Sequence, residues 1–302
     1  FNRRAVTGDG TVVMPGRTWP GGLGPTYIRY IEGPMDPELG VVCLRDRSLQ
    51  VRAVLVHHTC HPVHVFPSCV VSSDWPGAVC SELEEMYGEA CVPAVLNGCC
   101  GNINPWPPFD PDYVEDHRRM GRVLAQGARR VMETMSFTDQ AVLDWRVRRV
   151  PIPLRELTEE ELRWAAELLA RHPEPLWTDD SRTQVDLDWM VAASVTSVHL
   201  MRQRGPDLQY EIQVLRIGDA AIVGLPGEPF VEGQLAVKLR SPAYPTYVAH
   251  CTSQYVGYVP TREALQRGGH EVNTRYWAKL APEALDLIVD NTVSVLGELW
   301  GR

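Results

Sequence analysis

The stretch Val54–His64, VLVHHTCHPVH, followed by SSDWPG at Ser72–Gly77, decides how this chain is read. Val51–Val56 has the β-branched content of a strand buried in a sheet. Four histidines, His57, His58, His61 and His64, come directly after that run. A strand ending in imidazoles sets neutral nitrogen donors at the rim of a sheet, where metals and substrates are held. Any one of the four can instead be a hydrogen-bonded core residue, but the cluster as a whole predicts a site.

Outward from this stretch, strand and helix patterns alternate along the chain. Val41–Arg45 reads as the hairpin partner of the histidine strand, and Ala78–Tyr87 as a helix. Pro93–Leu96 is a short buried strand leading into the glycine-bounded NGCCGNINP, Asn97–Pro105. A long helix is expected from Pro111 to Met135, with apolar positions at Val114, Met120, Val123, Leu124 and Val131. Leu143–Leu154 alternates as a strand, and Thr158 with Glu161 forms a capping box opening a helix to Arg171. Leu187–Gln203 is a further helix, with His199 on its apolar face as a core histidine. Gln209–Arg216 and Ala220–Leu225 read as strands joined by the turn at Gly218–Asp219. PGEPF, Pro226–Phe230, then leads into a helix to Leu239. Tyr247–His250 is another strand, and Pro282–Trp300 a closing amphipathic helix. Residues 1–27, rich in Gly and Pro, read as mostly loop, with Asn2, Arg3 and Arg4 at a solvated end. The expected fold class is α/β, a single domain over residues 1–302 with a mixed β-sheet flanked by helices.

Composition narrows the partners. A net charge of −9 argues against a nucleic-acid partner and against an anionic membrane surface. No stretch approaches the roughly 20 apolar residues of a membrane span. The eight cysteines contain no CxxC pair and read mostly as small buried hydrophobes.

In α/β domains, functional residues collect where strands end. Four such ends here carry His57–His64 with Asp74, then Asn97–Asn104, then Glu228, then Tyr255, Tyr258 and His270. Histidine and carboxylate together suit Zn²⁺, with a position left for water. No HExxH signature is present.

Read in order, the motifs resemble the neutral/alkaline (non-lysosomal) ceramidase family and its bacterial relatives. They are FNRR at Phe1, GPMDPELGVV at Gly33, CHPV at Cys60, SSDWPG at Ser72, NGCCGNINP at Asn97, LPGEPF at Leu225 and YVGYVPTRE at Tyr255. The resemblance implies hydrolysis of an amide between an acyl group and an amino alcohol at one zinc ion. By motif, His61 is the second zinc histidine, Glu228 the glutamate and Tyr258 the tyrosine. The family's Asn-Arg pair is Asn2 and Arg3, with Arg3 placed to meet a substrate oxygen. The chain departs from the pattern at Asn104, where the family has a serine, at Asn102, where it has an aspartate, and at His270, where it has a tyrosine. The first zinc histidine lies upstream of the Asn-Arg pair in the family, so a second polypeptide is expected to supply it together with the missing strands. The family's C-terminal immunoglobulin-like domain is also missing, which argues against ceramide itself.

The leading expectation is therefore a zinc-dependent hydrolase of a small amide substrate, with His61, Glu228 and Tyr258 on the metal. Arg3 with Tyr255 or His270 would stabilise the oxyanion, and His58 or Asp74 would orient a ligand or shuttle a proton. Two other readings are a non-catalytic, degenerate subunit and a cysteine hydrolase using Cys99 or Cys100.

Overall fold

Val51–His58 forms a strand in the computed structural model, which describes residues 1–15, 28–66, 68, 70–107, 110 and 112–301. The elements of the first half are β1 (Ala5–Thr7), β2 (Val12–Val13), β3 (Ile28–Ile31), β4 (Gly40–Arg45), β5 (Val51–His58), α1 (Asp74–Tyr87), β6 (Val92–Asn97) and α2 (His117–Thr134). Those of the second half are β7 (Leu143–Pro153), α3 (Glu159–Arg171), α4 (Leu187–Arg204), β8 (Asp207–Ile217), β9 (Ala220–Gly224), β10 (Glu228–Pro229), α5 (Val231–Arg240), β11 (Thr246–Ala249), β12 (Tyr258–Val259), α6 (Arg262–Arg267), α7 (His270–Asn273) and α8 (Ala284–Trp300).

The α/β class is as expected, but the described strands divide among separate sheets instead of forming one. β4 pairs antiparallel with β5, and β5 pairs parallel with β6, placing His58 opposite Asn97. A second mixed sheet runs β11-β9-β8-β7, with Ala249 of β11 opposite Gly224 of the parallel β9. A small sheet β2-β1-β3 and the parallel pair β10-β12 complete the set.

Each larger sheet packs its apolar face on helices. Val54 and Val56 of β5 meet Trp75, Val79 and Leu83 of α1 and Leu124, Ala128 and Met132 of α2. Val150, Ile152, Tyr210, Ile212 and Val223 meet Ile288, Val295, Leu296 and Leu299 of α8. Each such aliphatic side chain stabilises the fold by about 1.5–3 kcal/mol when fully buried.

Two helices start away from their expected positions. α1 begins at Asp74, four residues before Ala78, because Pro76 lies in the first turn, where its missing N–H costs nothing. α2 begins at His117, where the Asp116 carboxylate accepts the backbone N–H groups of Arg118 and Arg119 at 3.0 Å each. The expected start at Pro111 lies outside the described residues. Val114 and Val123, assigned to the apolar face, are exposed. The buried face combines Leu124 and Met132 with small residues: a Cβ on Gly121 would overlap Ala78, so the glycine lets α1 and α2 approach closely. His199 is half-buried and bonded to Gln203 at 3.0 Å, so it is not a core histidine.

The amino-terminal residues differ most from expectation. β1 and β2 occupy part of what reads as loop, and residues 16–27 lie outside the described residues. Asn2, Arg3 and Arg4 are buried, not solvated. Their burial is possible because the charges are paired. Arg3 Nε donates to Glu271 at 2.7 Å, Arg4 Nη1 donates to the same carboxylate at 2.6 Å, and Arg4 also pairs with Glu32. Among the described residues no helix is long and apolar enough to cross a membrane.

Glu271→Gln is expected to destabilise the protein by about 3–5 kcal/mol, since it leaves two buried guanidinium groups without their shared carboxylate. Burial pushes the Glu271 carboxyl up, but Arg3 and Arg4 outweigh it and hold it below the ordinary 4.5. Its contribution is therefore complete above that value and fades as pH falls through the lower folded value. Urea unfolding across the acid range checks both; an equal loss at every pH would contradict the ion-pair account.

Candidate functional site

The carboxyl ends of β5, β6, β9 and β11 come together, because two parallel pairs are joined at one residue. The backbone oxygen of Asn97, at the end of β6, accepts from the N–H of His250, immediately after β11, at 3.0 Å. The Asn97 side chain meets the backbone of Cys60 on both sides, donating to its oxygen at 2.9 Å and accepting from its N–H at 3.2 Å. Cys251 N–H donates to Gly227 O at 2.8 Å, which fixes the turn before Glu228. A Cβ on Gly101 would overlap the Glu228 carbonyl, so the NGCCGNINP loop can lie against β10 only with glycine there. This is the place where open α/β sheets bind ligands.

His61 and Glu228 meet at its centre. His61 Nε2 lies 2.8 Å from Glu228 Oε2, and His61 Nδ1 lies 2.9 Å from the carbonyl oxygen of Ile103. Both ring nitrogens thus face oxygen acceptors. A neutral imidazole has one N–H, so this arrangement calls for a second proton or a cation between Nε2 and the carboxylate. The second Glu228 oxygen accepts the Tyr255 hydroxyl at 2.7 Å. Burial raises the Glu228 carboxyl, but the bonds from His61 and Tyr255 hold it below the ordinary carboxylate range. Burial, and then the same bond, push the Tyr255 hydroxyl well up, so it keeps its proton.

Tyr258 stands opposite Glu228 in the β10-β12 pair, so the register of two residues brings carboxylate and phenol side by side. Burial raises the Tyr258 hydroxyl to about 12. The guanidinium carbon of Arg3 lies 5.4 Å from the Tyr258 ring centre. Arg3 Nη2 donates to Gly101 O at 2.7 Å and Nη1 to Asn104 Oδ1 at 3.2 Å. The His270 ring centre lies 6.0 Å from that of Tyr258 and 5.8 Å from that of Trp277. Burial, then Arg3, lowers the His270 pKa, so the ring is neutral at neutral pH.

His61, Glu228, Tyr258, Arg3, Asn104, Tyr255 and His270 are thus brought together. His58 and Asp74 are not bonded to them. His58 Nδ1 lies 3.0 Å from Glu38 O, and its ring sits edge-on to Trp75. Asp74 Oδ1 accepts from His64 at 2.8 Å and from Trp75 N–H at 2.7 Å, and its other oxygen accepts Val65 N–H at 3.0 Å. Asp74 therefore pins the loop carrying His64 to the start of α1. His57 stacks on Tyr247 and bonds Val248 O, as a core residue does. Cys99 and Cys100 are fully buried and their thiols pushed far up by that burial, which gives no support to a cysteine nucleophile.

Two residues at the site have no place in the sequence reading. Glu271 grips Arg3, and His250 follows β11 into the cluster; its only signal was a histidine at a strand end. Among the described residues no three His, Cys, Asp or Glu side chains stand gathered in metal-binding geometry. By their chemistry an imidazole, a carboxylate and a phenol are groups that zinc accepts, and the His61 ring is oriented by the Ile103 carbonyl at Nδ1.

No protein-family model matches the chain, and no curated protein matches it. Among solved structures, a neutral ceramidase from Pseudomonas aeruginosa matches with a TM-score of 0.61 and 18% identity, over 89% of this chain and 47% of that one. A ceramidase complexed with C2 matches with a TM-score of 0.61 and 17% identity, over 89% and 48%. The chain spans about half the length of these proteins, and the likeness is one of fold.

Asp74→Asn is expected to cost about 1–3 kcal/mol, because it weakens a charge-assisted bond to a buried histidine. Nitrogen NMR of the imidazole rings should show His64 altered and His61 unchanged. A shift at His61 as large as that at His64 would place Asp74 in the site after all.

Proposed function

We propose that this chain is a metal-dependent hydrolase of amide bonds, with zinc held by His61, Glu228 and Tyr258. The observation that carries the proposal is the contact between His61 Nε2 and Glu228 Oε2, on a ring whose Nδ1 already faces the Ile103 carbonyl. Zinc there would supply a water of lowered pKa and polarise the substrate carbonyl. The choice of an N-acyl or peptide-like amide is supported by the ceramidases that share the fold and by the motifs common to both.

The surrounding residues have distinct work in such a reaction. Water oxygen joins the carbonyl carbon, the C–N bond breaks, and the amine leaves with a proton. Arg3 has five N–H donors, of which three go to Glu271, Asn104 and Gly101, and its guanidinium also bonds the Tyr258 hydroxyl. The N–H that remains can hold the charge that develops on the carbonyl oxygen. Neutral His270 can take the proton from water and return it to the departing nitrogen. Tyr255 keeps its proton and fixes one oxygen of Glu228. Asn104 accepts a bond from Arg3 and is no nucleophile, so the acyl group passes to water and never to residue 104.

Purified protein is expected to carry about one zinc ion per chain. His61→Ala and Glu228→Ala should each lose that ion and all hydrolysis of N-acyl amino alcohols, with the melting temperature little changed. Full zinc occupancy in both variants would overturn the ligand assignment. A wild-type chain that folds but binds no zinc would favour the non-catalytic reading instead.

A further inference from the structure

We propose that the free edge of β4 takes an extended strand from a second polypeptide, laid into the cleft beside it and independent of the metal. β4 pairs only with β5 and so ends its sheet. Val41 N–H donates to the Tyr247 hydroxyl at 3.3 Å and therefore points away from β5. Backbone groups alternate in direction along an antiparallel strand, so the N–H and C=O of Cys43, two residues on, point the same way. Among the described residues they have no backbone partner there. Such groups on a strand edge are a template for another strand.

The space beside them is apolar. Val41–Leu44 line a cleft of about 630 Å³. One wall is the end of α2 and the loop after it, with Val131, Met135, Phe137 and Val142. The other is the β8–β9 turn with Ile217, and Tyr244 before β11. Leu44 is 50% exposed, Val142 55% and Tyr244 89%. The apolar surface continues past Val142 and Ile217 on one face of β7 and β8, where Leu143, Trp145, Val147 and Leu215 are all exposed. Bare apolar surface of this kind marks an interaction site.

The shape of the cleft selects the occupant. β4 is recessed between the two walls, so the same edge of a second copy, recessed in its own cleft, cannot come within the roughly 4.8 Å that paired strands need. A single strand fits, and its side chains, pointing alternately to either side, meet apolar residues on both. Arg45, at the end of β4, lies over the Phe137 ring at 3.8 Å from its centre and has no carboxylate partner among the described residues. An acidic residue at that end of the incoming strand supplies one.

The test is calorimetric titration of the chain with an end-blocked peptide, Glu-Val-Val-Thr-Val-Val, and with two versions N-methylated at alternate residues, one in each phase. The parent peptide should bind and slow hydrogen exchange of the Cys43 amide. One methylated version, with its methyl groups toward β4, should bind about tenfold more weakly or worse, and the other like the parent. Cys43→Pro removes an N–H that makes no bond to β5 and should weaken the parent peptide likewise. Equal binding of all three peptides would show a general apolar pocket and overturn the proposal, as would no binding at all. A dimer of the chain in sedimentation that Cys43→Pro abolishes would assign the edge to a second copy and overturn it too. If Cys43→Pro does not fold by circular dichroism, the two methylated peptides decide alone.

Discussion

A single imidazole held between two oxygen acceptors constrains the rest of this site. His61 gives Nδ1 to the carbonyl of Ile103 and turns Nε2 to Glu228. The Ile103 carbonyl must therefore be fixed, and the amino-terminal stretch fixes it. Asn2 bridges to Ile103, Arg3 N–H donates to Asn102 O at 2.8 Å, and Asn104 N–H donates to Phe1 O at 2.8 Å. Asn102 in turn accepts Val231 N–H at 3.0 Å and so ties the loop to the start of α5. The site is thus assembled mainly by contacts between segments distant in sequence, 42 residues for His61 and Ile103 and 167 for His61 and Glu228.

Electrostatics follow from the same arrangement. The chain is acidic overall, yet two arginines are buried beside the site, each paired with carboxylates. Breaking such a pair is costly, which makes Arg3 a rigid donor despite its long side chain. The two tyrosines keep their protons, whereas Glu228 is held ionised. Glu228 is thus an ionised group beside protonated tyrosines, with the paired charges of Arg3 and Glu271 next to them.

The sequence was a good guide to elements and a poorer one to pairings. β5, α3 with its capping box, β7, β8 and α4 lie where periodicity and turn chemistry place them. The separation into several sheets was not legible, because strand pairing depends on partners distant in sequence. The four-histidine cluster marked the right region, but its members go four ways: His57 to Val248, His58 to Glu38, His61 to Glu228 and His64 to Asp74. Successive strand residues face opposite sides of a sheet, so adjacency alone cannot assign them one site. Asn2, Arg3 and Arg4 read as a solvated end because their partners, Ile103, Glu271 and Glu32, are invisible to local inspection. α2 was misread in part because two glycines and two alanines, Gly121, Ala125, Gly127 and Ala128, share its buried face with Leu124 and Met132.

The central claim is that a metal ion belongs between His61 and Glu228. The most direct measurement is an anomalous-difference map, with data above and below the zinc absorption edge, from crystals grown with zinc. The account predicts one strong peak bounded by His61 Nε2, the Glu228 carboxylate and the Tyr258 hydroxyl, with the direct 2.8 Å contact replaced. A map without density there, in which that contact persists while zinc is present, would contradict it.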